Sequence, residues 1–270
     1  MTPYAAADAL ALAIEASREA GALLVELARS PAAGVRSKSS ATDLVSEADE
    51  KAERAIVATI RRKRPDDAIV AEEGSGARGT SGVSWYVDPL DGTINYLYGI
   101  PQWSVSICAA DASGALAAVV FDPMRDELFS AVRNGGAWLG DQRLRVSDKK
   151  DLASALVATG FGYGAAQRLT QGRILANVIG EVRDARRFGS AALDLSFVAA
   201  GRFDAYFESV DKPWDWMAGA MLVREAGGRV TELSPSDPAF PRIIASGPGV
   251  HDALTRLLAD AVHKAQNSID

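Results

Sequence analysis

Two carboxylates, Asp88 and Asp91, stand three residues apart at the end of the apolar run Trp85-Tyr86-Val87. Pro89 and Leu90 lie between them, and Gly92 follows. Pro89 fixes its own φ and has no amide to donate, and Gly92 tolerates a turn that other residues resist. A buried strand ending in this way can aim both carboxylates at one point, with the Leu90 carbonyl free beside them. Hard oxygens of that kind suit Mg²⁺. Gly92-Thr93-Ile94-Asn95 then opens a short helix, whose free amides and positive dipole end favour an anion. The chemistry indicated is a metal ion and a phosphate side by side. An ordinary Asp-rich turn with Asp91 as a helix cap would use the same residues, and a bare Asp-x-x-Asp-Gly leaves that alternative open.

Three further acids could complete such a site. Glu72 and Glu73 follow the strand-like Ala68-Ile69-Val70-Ala71. Adjacent acids at a strand end point in different directions, so only one of them easily reaches a given ion. Asp215 falls in the first turn of a helix that begins at Pro213-Trp214, where the dipole also favours a carboxylate for purely structural reasons. Nucleophilic alternatives are few. The only cysteine, Cys108, sits in an apolar run and reads as a buried inert thiol. Both histidines, His251 and His263, fall on what reads as a terminal surface helix, which argues against a histidine triad or a His-rich zinc site.

The nine residues Asp88-Pro89-Leu90-Asp91-Gly92-Thr93-Ile94-Asn95-Tyr96 resemble the signature of the inositol monophosphatase family of Mg²⁺-dependent, lithium-sensitive phosphatases. Trp214-Asp215 followed by small residues resembles the family's second signature, and Glu72-Glu73 its Gly-Glu-Glu, with Ala71 in place of the glycine. Lys38-Ser39-Ser40 and Arg187-Phe188-Gly189-Ser190-Ala191-Ala192 extend the resemblance over nearly the whole chain. It implies two or three Mg²⁺ ions. Glu72, Asp88 and the Leu90 carbonyl would hold one. Asp88, Asp91 and Asp215 would hold the second, and a weaker third would lean on Glu72. It also implies a water activated by Thr93 paired with Asp49, assisted by Glu72, and a phosphate on the Gly92 and Thr93 amides. Asp91, Gly189, Ser190, Ala191 and Glu208 would face the substrate, with Lys38 and Asp43 behind the ligands. Trp216 and Met217 are bulkier than the family's usual residues. Isoleucine rather than lysine after Thr93 favours inositol monophosphate over histidinol phosphate, fructose 1,6-bisphosphate or nucleotide 3′-phosphates. A regulatory member that binds a protein partner is the alternative of another class. The family is commonly dimeric.

The elements that must position these residues follow from periodicity and punctuation. Ala- and Leu-rich residues 4–28 predict an amphipathic helix, and a second runs from Glu47 to Lys63, with Ser46 and Asp49 resembling a capping box. Strands are expected at 68–71 and 85–88, then at 103–110, 115–121, 127–132 and 136–146, separated by Gly, Asp and Asn turns in an antiparallel meander. From about residue 148 the pattern alternates: strands at 155–160, 182–187, 203–207, 229–232 and 242–246, with helices at 165–179, 189–200, 213–226 and 249–265. An antiparallel-sheet half, 1–147, carrying most metal ligands and an α/β half, 148–270, carrying Asp215 and the substrate contacts are expected to share one cleft. By resemblance the fold is an α+β, layered α-β-α-β-α sandwich of the sugar-phosphatase type.

Composition sets the remaining bounds. The chain has 270 residues, 48% hydrophobic and 24% charged, with a net charge of −6. That is globular composition and a poor match to a nucleic-acid backbone. Arg61-Arg62-Lys63-Arg64 is the only dense basic run and reads as a solvated helix end. The N-terminus lacks a basic leader, and no apolar run approaches membrane-spanning length. A cytoplasmic protein is expected, with a small phosphorylated polyol as partner, no membrane and no nucleic acid.

Overall fold

Helix α1 (Ala6–Ala28) forms because small and aliphatic residues recur on one face, burying Ala9, Leu12, Ala13, Ala16, Ala20 and Leu24. It belongs to a computed structural model that describes residues 6–29, 36–37, 44–45 and 47–267. Strands β1 (Arg36–Ser37) and β2 (Leu44–Val45) pair antiparallel ahead of α2 (Glu47–Lys63). Lys38, Ser39, Ser40, Asp43 and Ser46 lie outside the described residues. Ala48, Ala52, Ile56 and Ile60 of α2 are buried, and both helices cover one face of a seven-stranded sheet. The basic end of α2 is exposed as expected, and Arg62 and Lys63 also pair with Glu15 of α1.

The sheet runs, in spatial and sequence order, β3 (Ala68–Ala71), β4 (Ser84–Asp91), β5 (Ser104–Asp111), β6 (Gly114–Asp122), β7 (Glu127–Val132), β8 (Gly136–Leu139) and β9 (Gln142–Arg143). Only β3 and β4 are parallel; the rest form the expected meander. The strand expected over 136–146 is two strands, because Gly140 turns the chain with φ 55°. Trp85, Val87, Ile107 and Val119 point toward α1 and α2, while Cys108, Ala118 and Val120 point the other way. Burial on both faces explains why β6 reads as an unbroken apolar run and why even Ser104 and Ser106 of β5 are buried.

The second half begins with β10 (Leu156–Thr159), α4 (Ala165–Val178) and β11 (Asp184–Arg186), followed by α5 (Ala191–Ala199) and β12 (Ala205–Glu208). Helix α6 (Pro213–Glu225), β13 (Arg229–Glu232), β14 (Ile243–Ser246) and α7 (His251–Asn267) complete the chain. The second sheet has the order β11-β10-β12-β14-β13, with β10 parallel to both neighbours and β14 antiparallel to both of its own. Leu193, Leu195 and Leu222 from α5 and α6 share a core with Ala118 and Val120 of the first sheet and Tyr206 and Ala245 of the second. Ile174 of α4 and Leu254 and Leu258 of α7 pack on Val157 and Ile244 across the second sheet's other face. The layers are therefore α-β-α-β-α.

One expectation fails here. His251 does not lie on a surface; it is 1% exposed. Ser246 Oγ donates to the Gly247 carbonyl at 3.0 Å and stands 2.8 Å from His251 Nδ1, so it accepts from that nitrogen. Nε2 then accepts from Thr231 Oγ1 at 2.8 Å. The ring ties α7 to β13 and β14 as a neutral group, and burial followed by the nearby Arg229 charge lowers its pKa from 6.5.

Candidate metal and phosphate site

The parallel pairing of β3 with β4 sets Ala71 beside Val87, so Glu72 emerges next to Asp88, and its amide donates to the Val87 carbonyl at 3.2 Å. The turn beyond is clamped from α2. Buried Glu53 accepts from the amides of Glu73 at 2.5 Å and Ser75 at 2.7 Å. Glu53 had no place in the sequence reading, because its partners are 20 and 22 residues away.

Asp88 and Asp91 owe their common direction to an irregularity. Asp88 lies opposite Ser106 and Asp91 opposite Ser104, so three steps on β4 match two on β5. In a regular strand residues three apart face opposite sides; one extra residue restores the same side. Both carboxylates therefore share the face of Ser104 and Ser106, toward α5 and α6. That face is confirmed by Ser104 Oγ, 3.4 Å from Ser190 Oγ, and by Ser106 Oγ, which donates to the Trp214 carbonyl at 3.1 Å. Within the turn the Leu90 amide donates to Asp88 Oδ1 at 2.9 Å. Gly92 has φ 99°, and a Cβ there would stand 3.0 Å from the Gln102 carbonyl oxygen. It precedes α3 (Thr93–Leu97).

Thr93 and Asp49 meet as the resemblance implied. Thr93 Oγ1 lies 3.0 Å from Asp49 Oδ1 and 3.1 Å from the Leu90 carbonyl, both acceptors. Asp49 is buried, and Ser46, the other half of the expected capping box, lies outside the described residues. Asp215 arrives in the first turn of α6, whose start is tied to β5 through Ser106. Trp216 and Met217 pack against the core between the sheets. Ser190 is buried and caps α5 through the Leu193 amide. Its hydroxyl also donates to Asp91 Oδ2 at 2.6 Å, alongside the Ala192 amide at 2.7 Å. It anchors an acid. Asn95 ties the turn to the same segment, donating to the carbonyls of Gln102 and Phe188, both at 2.7 Å.

A cavity of about 620 Å³ gathers Glu72, Asp88, Leu90, Asp91, Gly92, Thr93, Gly189, Ala191, Glu208 and Asp215 on its wall, together with Phe161, Tyr163, Arg187 and Lys212. Burial, then the Glu72, Asp91 and Asp215 charges, pushes the Asp88 pKa well above the usual carboxylate range. Burial raises Asp91 to about 7, although its bonds to Ser190 and Ala192 oppose the shift. Asp215 is raised by burial and by Glu72, Asp91 and Glu208. Burial also raises Glu208, against the Tyr206 hydroxyl and the Arg187 charge. Burial raises the Cys108 thiol to about 12, in keeping with an inert group.

Among the described residues no three His, Cys, Asp or Glu side chains are already drawn onto one coordination point. Glu72 instead hydrogen-bonds Asp88. Buried carboxylates gathered on one wall, each raised in pKa by burial and by its acidic neighbours, are stabilised by a nearby cation. An all-oxygen set of this charge fits a hard divalent ion.

A model of the inositol monophosphatase family matches residues 6–269. The chain belongs to this family. It is 41% identical over 260 residues to Nus factor SuhB of Escherichia coli K12, covering 95% of this chain and 97% of that one. An inositol-1-monophosphatase of Rhizobium meliloti is 46% identical over 194 residues, 70% of this chain and 72% of its own. Among solved structures, the extragenic suppressor protein suhB of Bartonella henselae superposes with a TM-score of 0.86 at 39% identity, covering 93% of this chain and 98% of that one. The inositol monophosphatase of Anabaena gives 0.80 at 35%, covering 94% and 96%. Family membership points to phosphatase activity and to metal dependence. Among the described residues no helix is long and apolar enough to cross a membrane.

Proposed function

We propose that the chain hydrolyses a small phosphate monoester, most simply myo-inositol monophosphate, to the free polyol and phosphate in a Mg²⁺-dependent reaction. The observation that carries this reading is the convergence of Glu72, Asp88, Asp91 and Asp215, from three separate segments, on one cleft with the Thr93–Asp49 hydrogen bond. Glu72, Asp88 and the Leu90 carbonyl are the ligand set for one ion and Asp88, Asp91 and Asp215 for a second, with a weaker third leaning on Glu72. Bound there, Mg²⁺ would neutralise phosphoryl oxygens and make water a better nucleophile at neutral pH.

The chain's own residues do the rest. The Thr93 hydroxyl has one hydrogen, and both acceptors within reach, Asp49 Oδ1 and the Leu90 carbonyl, compete for it. Its oxygen is thereby left to accept a hydrogen bond from the attacking water and to fix its direction. Glu72 would take up the proton that the water releases. The Gly92 and Thr93 amides contact the phosphate. Asp91, Gly189, Ala191 and Glu208 face the polyol, and Ser190 acts through Asp91. The leaving oxygen departs in line as the new P–O bond forms, and no phosphoryl-enzyme is needed.

The test is phosphate release from inositol monophosphate, histidinol phosphate, fructose 1,6-bisphosphate and a nucleotide 3′-phosphate, with Mg²⁺ and with EDTA. Release from inositol monophosphate that EDTA abolishes is expected; release from none of the four rejects the reading. The same proposal includes a cytoplasmic setting, no nucleic-acid partner, subdomains divided near residue 147 and a homodimer. Tyr98, Ile100 and Phe188 are exposed apolar side chains, and Asn95 bonds both the Phe188 carbonyl and the Ile100 amide, so these residues are the ones offered to the second copy. A regulatory role in place of turnover is the second reading, favoured by the relatives that bear the name Nus factor SuhB.

A further inference from the structure

The polyol side of the cleft holds a cation that the reaction above leaves unused. Arg187 precedes α5 and stands exposed at the cleft mouth, with its guanidinium folded over Gly189. Gly189 has φ +88°, and a Cβ there would strike Arg187 Nη1. The absent side chain is what lets the guanidinium reach inward. Among the described residues Arg187 makes no hydrogen bond or ion pair. Its charge nonetheless favours the ionised forms of two buried acids, Glu208 and Asp194.

Glu208 is fixed from behind. The Tyr206 hydroxyl donates to Oε2 at 2.8 Å, and the carboxylate lies so close to Gly160 that a Cβ there would overlap it. Oε1 remains available. A guanidinium rich in donors and a carboxylate acceptor thus face one cavity without bonding each other.

A second anion or a pair of neutral hydroxyls could satisfy this arrangement, and charge decides between them. Glu208 already balances Arg187, and Asp194, 1% exposed with no partner for Oδ1, adds negative charge nearby. A second phosphate would meet both carboxylates in a poorly screened site. Two neighbouring hydroxyls meet no such repulsion: one oxygen accepts from Arg187, and the other donates to Glu208. We propose that Arg187 is a specificity-determining residue, forming with Glu208 a donor–acceptor clamp for two adjacent hydroxyls on the non-reacting side of the substrate. The inference rests on the phosphatase reading only for the phosphate those hydroxyls accompany.

Arg187→Gln is the direct test, since the side chain is exposed and its removal leaves no cavity. Its kcat/KM for inositol monophosphate should fall about 10- to 100-fold, the range for losing a hydrogen bond to a charged group, mainly through KM. Its kcat/KM for p-nitrophenyl phosphate, which has no hydroxyl, should change by less than about threefold. Trp214 lines the same cleft, so its fluorescence can report myo-inositol binding without turnover. That Kd should rise by the same factor, and Arg187→Lys should restore only part of it. Equal losses on both phosphate esters would overturn the clamp, because Arg187 would then be supporting the site as a whole. A wild-type preference for a hexose bisphosphate that disappears in Arg187→Gln would overturn it in favour of a second-anion subsite. Arg187-dependent inositol binding without phosphate release from any ester would support the clamp and reject the phosphatase. Phosphate release with unchanged inositol affinity in the variant would do the reverse.

Discussion

The carboxylate cleft and the His251 knot both bury ionisable groups, and they do so with opposite results. At the knot, each imidazole nitrogen meets a hydroxyl of the right donor or acceptor sense, and the ring is held neutral. In the cleft, Asp88, Asp91 and Asp215 are crowded together, and burial with mutual repulsion drives their pKa values upward. One region spends its polar groups on joining α7 to the second sheet. The other leaves their charges uncompensated despite hydrogen bonds to Asp88 and Asp91, which is how a fold stores binding energy for something it has yet to meet. The two should therefore fail in opposite directions, and each failure can be provoked separately.

The largest effect is expected from Asp88→Asn. Turnover should fall by about three orders of magnitude, roughly 4 kcal/mol of barrier, while the EDTA-treated protein becomes more stable by about 1–3 kcal/mol because a carboxyl whose ionisation is opposed by burial and by neighbouring acids is gone. Denaturant melts with and without Mg²⁺, beside phosphate release, check both halves. More than about a tenth of wild-type kcat (a loss of roughly 1.4 kcal/mol) would remove Asp88 from the reaction.

Thr93→Ala comes next. It removes the water-orienting oxygen and no carboxylate, so kcat should drop about 100-fold, near 2.7 kcal/mol. Mg²⁺ affinity should stay close to wild type by calorimetry; a loss seen mainly in metal binding contradicts the role.

pH sharpens the contrast. Asp91 has an ordinary pKa of 3.8 and sits at about 7 in the folded chain. Between those values the folded protein holds a proton that the unfolded chain has released, so ionising Asp91 costs stability as pH rises through the window. In EDTA, melts should weaken by a few kcal/mol from about pH 4 to about pH 7, and Mg²⁺ should reverse the trend. His251 acts with the opposite sign. Its folded pKa lies below 6.5, so the unfolded chain binds the extra proton and stability is lost as pH falls below that value.

His251→Ala should cost about 2–3 kcal/mol from the lost bonds and the cavity, abolish that acid-side loss and leave kcat unchanged. A pH slope that survives the substitution would place the titrating group elsewhere.

What could be read beforehand follows contiguity. Asp88, Pro89, Leu90, Asp91 and Gly92 announce a metal turn because ligand types and turn residues share five positions, and Glu72 and Asp215 carry their own local signals. The antiparallel meander and the later alternation of strands and helices were visible in periodicity and turn signals, while the α-β-α-β-α layering came from the family resemblance. Glu53, the anchoring role of Ser190 and the burial of His251 were illegible. Each depends on partners brought together only by folding: Ser190 meets Asp91 across 99 residues. The break of 136–146 into β8 and β9 turns on Gly140, and the polar Gly140-Asp141 step there is a turn signal that the expected single strand ran across.

The extra residue between Asp88 and Asp91 has a bearing on how this site could change. Side-chain direction along a strand alternates like a two-letter frame, and the bulge on β4 is a single-step frameshift within it. Removing Pro89 or Leu90 would restore the frame. The two carboxylates would then stand two residues apart on the same face, as Ser104 and Ser106 do. A one-residue deletion would therefore keep both acids toward the cleft and remove only the bulge that sets their spacing, whereas a flat strand of unchanged length would turn the second acid toward Trp85 and Val87.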